Sequence, residues 1–260
     1  MKKQLMILVP LILIAAVVTG GAGQLGRVIS QTLAECGADV VVHYHTSQSL
    51  AQKLSASFQR MGRKSMAVQA DVTDAPSVEA MKSQILATFG RSPDIIVNNA
   101  VISYKWVTVL EQALEDYESQ FRSCTLHNVI MTKAFVPAMI ANQWGRVIAI
   151  NTECAMQNFP TQSAYVSGKR GMEGVLRVLA KEVGPHQVTV NQVAPGWMIS
   201  AGSPDGDGAG ELAYKAAVPL RRRGKDQDIA NLVAYLASDL ANFISGQYIS
   251  VSGGNVMPAI

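Results

Sequence analysis

Apolar positions along the chain fall into short β-branched runs separated by longer stretches with helical spacing. The runs lie at 12–18, 39–44, 64–70, 93–98, 145–151, 186–195 and 246–254. Helical spacing predicts helices over 25–36, 47–62, 75–90, 112–142, 162–184 and 226–239. Strands that alternate with helices of this length imply βαβ units and a parallel sheet covered on both faces. Right-handed crossovers make it doubly wound. The expected fold is therefore α/β, a single-domain Rossmann-type sheet of seven parallel strands over residues 1–260. The loop-like patch at 201–210, rich in Gly, Pro and Asp, follows the sixth strand. A mobile segment there, about 198–217, is expected to cover a site at the strand ends.

The N-terminus admits two readings. Two lysines precede an apolar run from Leu5 to Val18, the outline of a signal peptide. The run is short for a membrane span, which needs about 20 residues. Alternatively, Ile12 to Val18 is a buried parallel strand and 1–11 an apolar arm. The glycine-rich turn that follows needs a strand before it, which favours the second reading and a cytoplasmic protein; the arm is then expected to cover an apolar surface, at a subunit contact or, as the less favoured alternative, at a membrane face.

Among 260 residues, 48% are hydrophobic and 16% charged, which excludes disorder as the dominant state. The net charge of +3 is too mild to imply nucleic-acid binding. Cys36, Cys124 and Cys154 are scattered, with no CxxC pair, so a reducing compartment fits best.

Three segments carry the chemistry. The first strand runs into Thr19-Gly20-Gly21-Ala22-Gly23-Gln24-Leu25-Gly26, followed by a helix. Glycines there let backbone N–H groups approach a pyrophosphate at the helix N-terminus. Tyr165 and Lys169 stand at i and i+4 on one helix face. A nearby ammonium is expected to lower the tyrosine pKa and fit the phenol for general acid catalysis. The second strand ends His43-Tyr44-His45-Thr46-Ser47, with no carboxylate to bind a ribose 2′-hydroxyl, so NADP(H) is favoured over NAD(H). His43 and His45 also form an HxH pair, but no third ligand stands at a fixed spacing, so no metal site is expected.

On these motifs the chain resembles the short-chain dehydrogenase/reductase family over nearly all of 12–254. It resembles the 3-oxoacyl-carrier-protein reductases, with pteridine-reductase-like features at the cofactor turn. Thr19, Gly20 and Gly26 match the family's TGxxxGxG, with Gln24 in place of the middle glycine. Asp71 and Val72 match its adenine-contacting block, and Asn99 and Ala100 its NNAG, with Val101 replacing the glycine. The resemblance implies that Tyr165, Lys169 and Thr152 are catalytic, Thr152 replacing a serine 13 residues before the tyrosine. It also implies that Lys169 binds the nicotinamide ribose. Pro195 and Gly196 match the segment flanking the nicotinamide, with Met198 expected beside the cofactor as well; Ser200 stands where a threonine usually contacts the cofactor, and Trp197 and Met198 either shape the substrate pocket or pack. Cys124 falls where the family carries an asparagine that feeds protons to the lysine, so Cys124 is expected to pack, and Asn128 is the alternative relay group. The arginines at 221–223 either form a solvated face or attract an acidic partner. The function expected is NADP(H)-dependent hydride transfer on a small carbonyl or alcohol by a homotetramer. The alternative is a nucleotide-binding protein that has lost turnover, suggested by Gln24, Cys124 and Thr152.

Overall fold

The computed structural model describes residues 10–257. Its central sheet is parallel and has the order β3-β2-β1-β4-β5-β6-β9. These strands are β1 (Ala15–Val18), β2 (Asp39–Tyr44), β3 (Ser65–Gln69), β4 (Ile95–Asn98), β5 (Gly145–Ile150), β6 (Val188–Pro195) and β9 (Tyr248–Val251). The chain reverses direction across the sheet between β1 and β4, which opens a crevice at their C-terminal ends, where open α/β sheets bind ligands.

Both faces of the sheet are covered, and strand alternation shows how. Ala16 and Val18 of β1, with Val40 and Val42 of β2, pack on one face. Their partners there are Ile29 and Leu33 of α1 (Gln24–Glu35) and Ile229 and Val233 of α9 (Asp226–Ala237). Ala15, Val17 and Val41 point to the other face, against Val78 and Met81 of α3 (Ala75–Phe89). Met131 and Phe135 of α5 (His127–Asn142) and Met172 and Leu176 of α7 (Ser163–Val183) complete that layer. Every β1 residue is fully buried, as a central parallel strand requires. Helix α2 (Gln48–Arg60) joins β2 to β3.

The structure corrects the sequence reading at several points. The first strand starts at Ala15, not Ile12: Leu13 has a φ of 64° and Ile12 and Leu13 are exposed. Leu11, assigned to the arm, is buried in the core of its own subunit and donates its N–H to Cys36 O. The rest of the arm, 1–9, lies outside the described residues. The helix expected at 112–142 runs from α4 (Leu114–Gln120) through a π-helical turn (Phe121–Leu126) into α5. It is long and apolar enough to cross a membrane, yet Met131, Phe135 and Met139 sit in this subunit's core. The patch expected to be a loop is partly ordered. Here β7 (Met198–Ile199) pairs with β8 (Gly224–Lys225), and α8 spans Ala209–Ala217. Helix α6 (Cys154–Gln157) was not legible either.

Candidate active site

Thr19 organises the end of β1. Its Oγ1 accepts the N–H groups of Asn99 (2.8 Å) and Ala100 (3.0 Å), and Asn99 Nδ2 donates back to Thr19 O at 2.9 Å. This ties the glycine turn to the end of β4. Gly20 has a φ of 60°, a left-handed conformation that glycine adopts at little cost. A Cβ on Gly26 would lie 2.1 Å from Gly20 O, so only glycine fits where α1 meets the turn. Helix α1 begins with no side-chain cap and no acidic residue, leaving the positive end of its dipole open to an anion.

His43 does work that the sequence pattern hid. Its ring is buried; Nδ1 accepts the Gly20 N–H at 2.9 Å and Nε2 donates to Ala70 O at 3.0 Å. Burial pulls its pKa down to about 4, so the ring is neutral and both nitrogens are engaged in holding the turn. Neither is free for a metal. The missed signal was its place in an apolar strand with period-two alternation.

A cavity of about 790 Å³, within the roughly 300–1,000 Å³ range of ligand sites, runs along the strand ends. It brings together Gly20, Gln24, Leu25, Gly26, His45, Thr46, Asp71, Val72, Asn99, Ala100, Thr152, Tyr165, Lys169, Pro195 and Gly196. Three expected contacts lie elsewhere. Gly21 is packed beneath the turn, where a Cβ would meet Val18 O at 2.8 Å. Ser200 pairs with Ser203 through backbone hydrogen bonds and lines no cavity described here. Met198 lines a second cavity of about 710 Å³ that opens beside the first. The two share Val101, Ile102, Thr152, Tyr165 and Gly196.

At this junction Tyr165 is half-buried, with its phenol beside the Thr152 hydroxyl. Thr152 Oγ1 also accepts the Cys154 N–H at 3.2 Å. Lys169 Nζ donates to Ile150 O at 2.5 Å and lies 5.6 Å from the centre of the Tyr165 ring. The expected lowering of the tyrosine pKa is not what this geometry produces. Burial, chiefly, pushes the phenol up, and burial pulls the Lys169 ammonium down. Spacing placed the pair together but could not show how far packing shields the phenol and the ammonium from water, and that shielding disfavours their charged forms.

Cys124 sits in the π-helical turn, buried, with its Sγ 3.9 Å from Gln120 Oε1. The amide of Asn128 is already engaged: Nδ2 donates to Cys124 O at 2.6 Å, and Oδ1 accepts from Asn98 Nδ2 at 2.7 Å.

With this arrangement in view, the chain can be set beside known proteins. A family model described as enoyl-(acyl carrier protein) reductase matches residues 20–255. The 3-oxoacyl-[acyl-carrier-protein] reductase of Staphylococcus aureus is 34% identical over 253 residues, 94% of this chain and 98% of that one. An uncharacterized oxidoreductase of Methylorubrum extorquens is 34% identical over 242 residues, 92% of this chain and 96% of its own. A solved variant of the Serratia marcescens short-chain dehydrogenase/reductase superposes with a TM-score of 0.87 at 31% identity, covering 95% of this chain and 99% of that one.

The chain belongs to the short-chain dehydrogenase/reductase family. It is an oxidoreductase of that family.

This short-chain dehydrogenase/reductase fastens the 198–217 segment with a buried arginine. Arg223 donates to Met198 O (2.6 Å), Ser203 Oγ (2.7 Å) and Pro204 O (2.9 Å), pairs with Glu211 at 3.0 Å, and stacks 4.4 Å over Trp197. Of the three arginines read as a solvated face, Arg221 and Arg222 are exposed and Arg223 is buried. Gln24 also reaches this segment: a Cβ on Gly202 would lie 2.3 Å from Gln24 Nε2. The glutamine that replaces a family glycine thus lies against the segment that supplies Met198 and Tyr214 to the second cavity.

Proposed function

We propose that this enzyme is an NADP(H)-dependent oxidoreductase for a carbonyl/alcohol pair, with Tyr165 as general acid/base. The observation that carries this reading is the place of Tyr165 and Thr152 in the walls of both cavities. A nicotinamide in the first and a carbonyl in the second would meet at the phenol. The glycine turn, the uncapped start of α1 and the unpartnered, buried Ser123 Oγ in the first cavity fit a dinucleotide. When bound, the nicotinamide supplies or takes the hydride. Tyr165 is held protonated by burial and gives its proton to the carbonyl oxygen. Thr152 orients that oxygen through its hydroxyl. Lys169 holds the ribose hydroxyls, and its charge stabilises the phenolate left after proton transfer.

No carboxylate stands among His45, Thr46 and Ser47, which follow β2 in the wall of the first cavity, and this supports NADP(H) over NAD(H). The test is oxidation of NADPH and NADH against ketones, 3-oxoacyl thioesters, quinones and pterins. Turnover faster with NADPH is expected; NADPH binding without turnover of any carbonyl would favour the non-catalytic reading.

Thr152→Ser is expected to keep most of the activity and Thr152→Ala to lose ten-fold or more. Asn151, the natural substitute, is occupied: Nδ2 donates to Gln192 Oε1 at 2.8 Å and Oδ1 accepts the Thr152 N–H at 2.8 Å. Equal kcat/KM for the two variants would remove Thr152 from the mechanism.

A single domain acting in the cytosol with 198–217 as its substrate lid is part of the same reading, and so is a homotetramer. The π-turn, α5 and α7 leave Leu126, Val129 and Val175 half-exposed and Phe121 and Val178 exposed on their surface. Ala134, Phe135, Met172, Leu176 and Leu179 on the same helices are in the subunit's own core. Light scattering should give a tetramer; a 27.8 kDa particle at micromolar concentration would reject it.

A further inference from the structure

The second cavity holds a carboxylate that the hydride-transfer reading leaves without a task. Glu153 follows Thr152 directly, lines the cavity, and is 4% exposed. Its Oε1 accepts the Tyr214 hydroxyl at 2.9 Å and its Oε2 accepts Asn255 Nδ2 at 3.0 Å. Tyr214 in turn accepts the Trp197 N–H at 2.8 Å. Those donors orient the carboxylate but carry no charge. Among the described residues Glu153 makes no ion pair, and the cavity lining includes no Lys, Arg or His. Arg223, stacked on Trp197, is already paired with Glu211. Buried charges are normally paired. Burial accordingly raises the Glu153 pKa, a cost that a cation placed in the cavity would relieve.

The rest of the wall suits a cation too. Tyr104, Trp106, Phe159, Trp197 and Tyr214 line it, and Trp106 and Phe159 are about half exposed, at 50% and 54%. Aromatic faces bind quaternary and protonated amines through their quadrupoles, and more strongly when water is excluded. Each carboxylate oxygen has a second lone-pair site left after its one hydrogen bond.

We propose that the substrate of this enzyme is a carbonyl compound bearing a positively charged nitrogen, and that Glu153, within its aromatic wall, is the residue that selects it. The inference rests on the carbonyl-reductase reading above. Thr152 and Glu153 are consecutive, so one small molecule can present its oxygen to Tyr165 and Thr152 and its cationic nitrogen to Glu153. Anionic carbonyl compounds are excluded by the same carboxylate.

Three ketones test this with the full-length enzyme and NADPH: phenacyltrimethylammonium, its uncharged isostere phenyl neopentyl ketone, and the anion benzoylacetate. The cation should have a kcat/KM at least ten-fold above the isostere, with the anion lowest. Because the ammonium group also activates the carbonyl, the decisive readout is the cation-to-isostere ratio in Glu153→Gln, which should fall ten-fold or more relative to wild type. An unchanged ratio in a variant with a wild-type melting profile overturns the proposal. So does a wild-type enzyme that favours the isostere. If no ketone is reduced, the oxidoreductase reading fails instead. Calorimetry with benzyltrimethylammonium then still decides the site: binding that Glu153→Gln abolishes supports it, and no binding, or equal binding, overturns it. Should Glu153→Gln fail to fold, wild-type calorimetry of choline against its uncharged isostere 3,3-dimethylbutan-1-ol takes its place, with a ten-fold preference for the cation expected and equal affinity contradicting it.

Discussion

Replacing Tyr165 with phenylalanine is expected to lower turnover by roughly 10²–10⁴-fold, the usual contribution of a positioned general acid, and to leave NADPH affinity within a few-fold of wild type. The substitution removes one oxygen and little else. The ring remains to stack on Trp106, at 6.4 Å between centroids, and to lie beneath Lys169. What is lost is the hydroxyl beside Thr152 where the two cavities meet. Because burial holds that phenol protonated, it is ready to give a proton before a carbonyl arrives, which suits reduction. The measurement is single-turnover NADPH oxidation alongside fluorescence titration of the cofactor. Activity within three-fold of wild type would remove the phenol from the chemistry.

How far the sequence foretold this site varies with the kind of interaction involved. Strand and helix order was legible because it depends on periodicity: alternate residues of β1 and β2 feed opposite faces of the sheet. The cofactor turn was legible because glycines at that spacing have a steric reason to be there. Boundaries were less so. An apolar run from 12 to 18 looks like one strand, and nothing in it announces that Leu13 takes a left-handed conformation. Two-residue strands such as β7 and β8 are too short to show a period. Helix α8 starts within a Gly-, Pro- and Asp-rich stretch that local composition reads as loop. Least legible were the residues whose roles depend on burial. His43 read as one half of an HxH pair, Arg223 as one of three solvated arginines, and Glu153 not at all. In each case the decisive fact is a hydrogen-bond partner far away in sequence: Gly20 for His43, Pro204 and Met198 for Arg223, Tyr214 and Asn255 for Glu153. The tyrosine pKa failed for the same reason, since spacing reports proximity to Lys169 but not the desolvation that packing imposes.

Gly26→Ala should cost the enzyme its cofactor and part of its stability, with NADPH affinity falling at least ten-fold. The added methyl would lie 2.1 Å from Gly20 O and 2.9 Å from Asn99 Nδ2. The first is backbone and cannot swing aside. Moving it would disturb Gly20, whose N–H is held by His43 Nδ1, and Asn99, whose amide is held by Thr19. The clash therefore spreads through the whole bracket that joins β1, β2 and β4. Overpacking of this kind costs about 1–3 kcal/mol, which in a protein this size lowers Tm by roughly 2–4 °C per kcal/mol. Gly23→Ala provides the comparison, because its methyl would stand 3.1 Å from the same oxygen and a shift of a few tenths of an ångström would admit it. The expected order is wild type, then Gly23→Ala, then Gly26→Ala, in both NADPH affinity and melting temperature. Tyr165→Phe provides the opposite pattern, with turnover lost and binding kept. If Gly26→Ala binds NADPH as tightly as wild type, the turn is not the pyrophosphate cradle, and the first cavity needs another occupant.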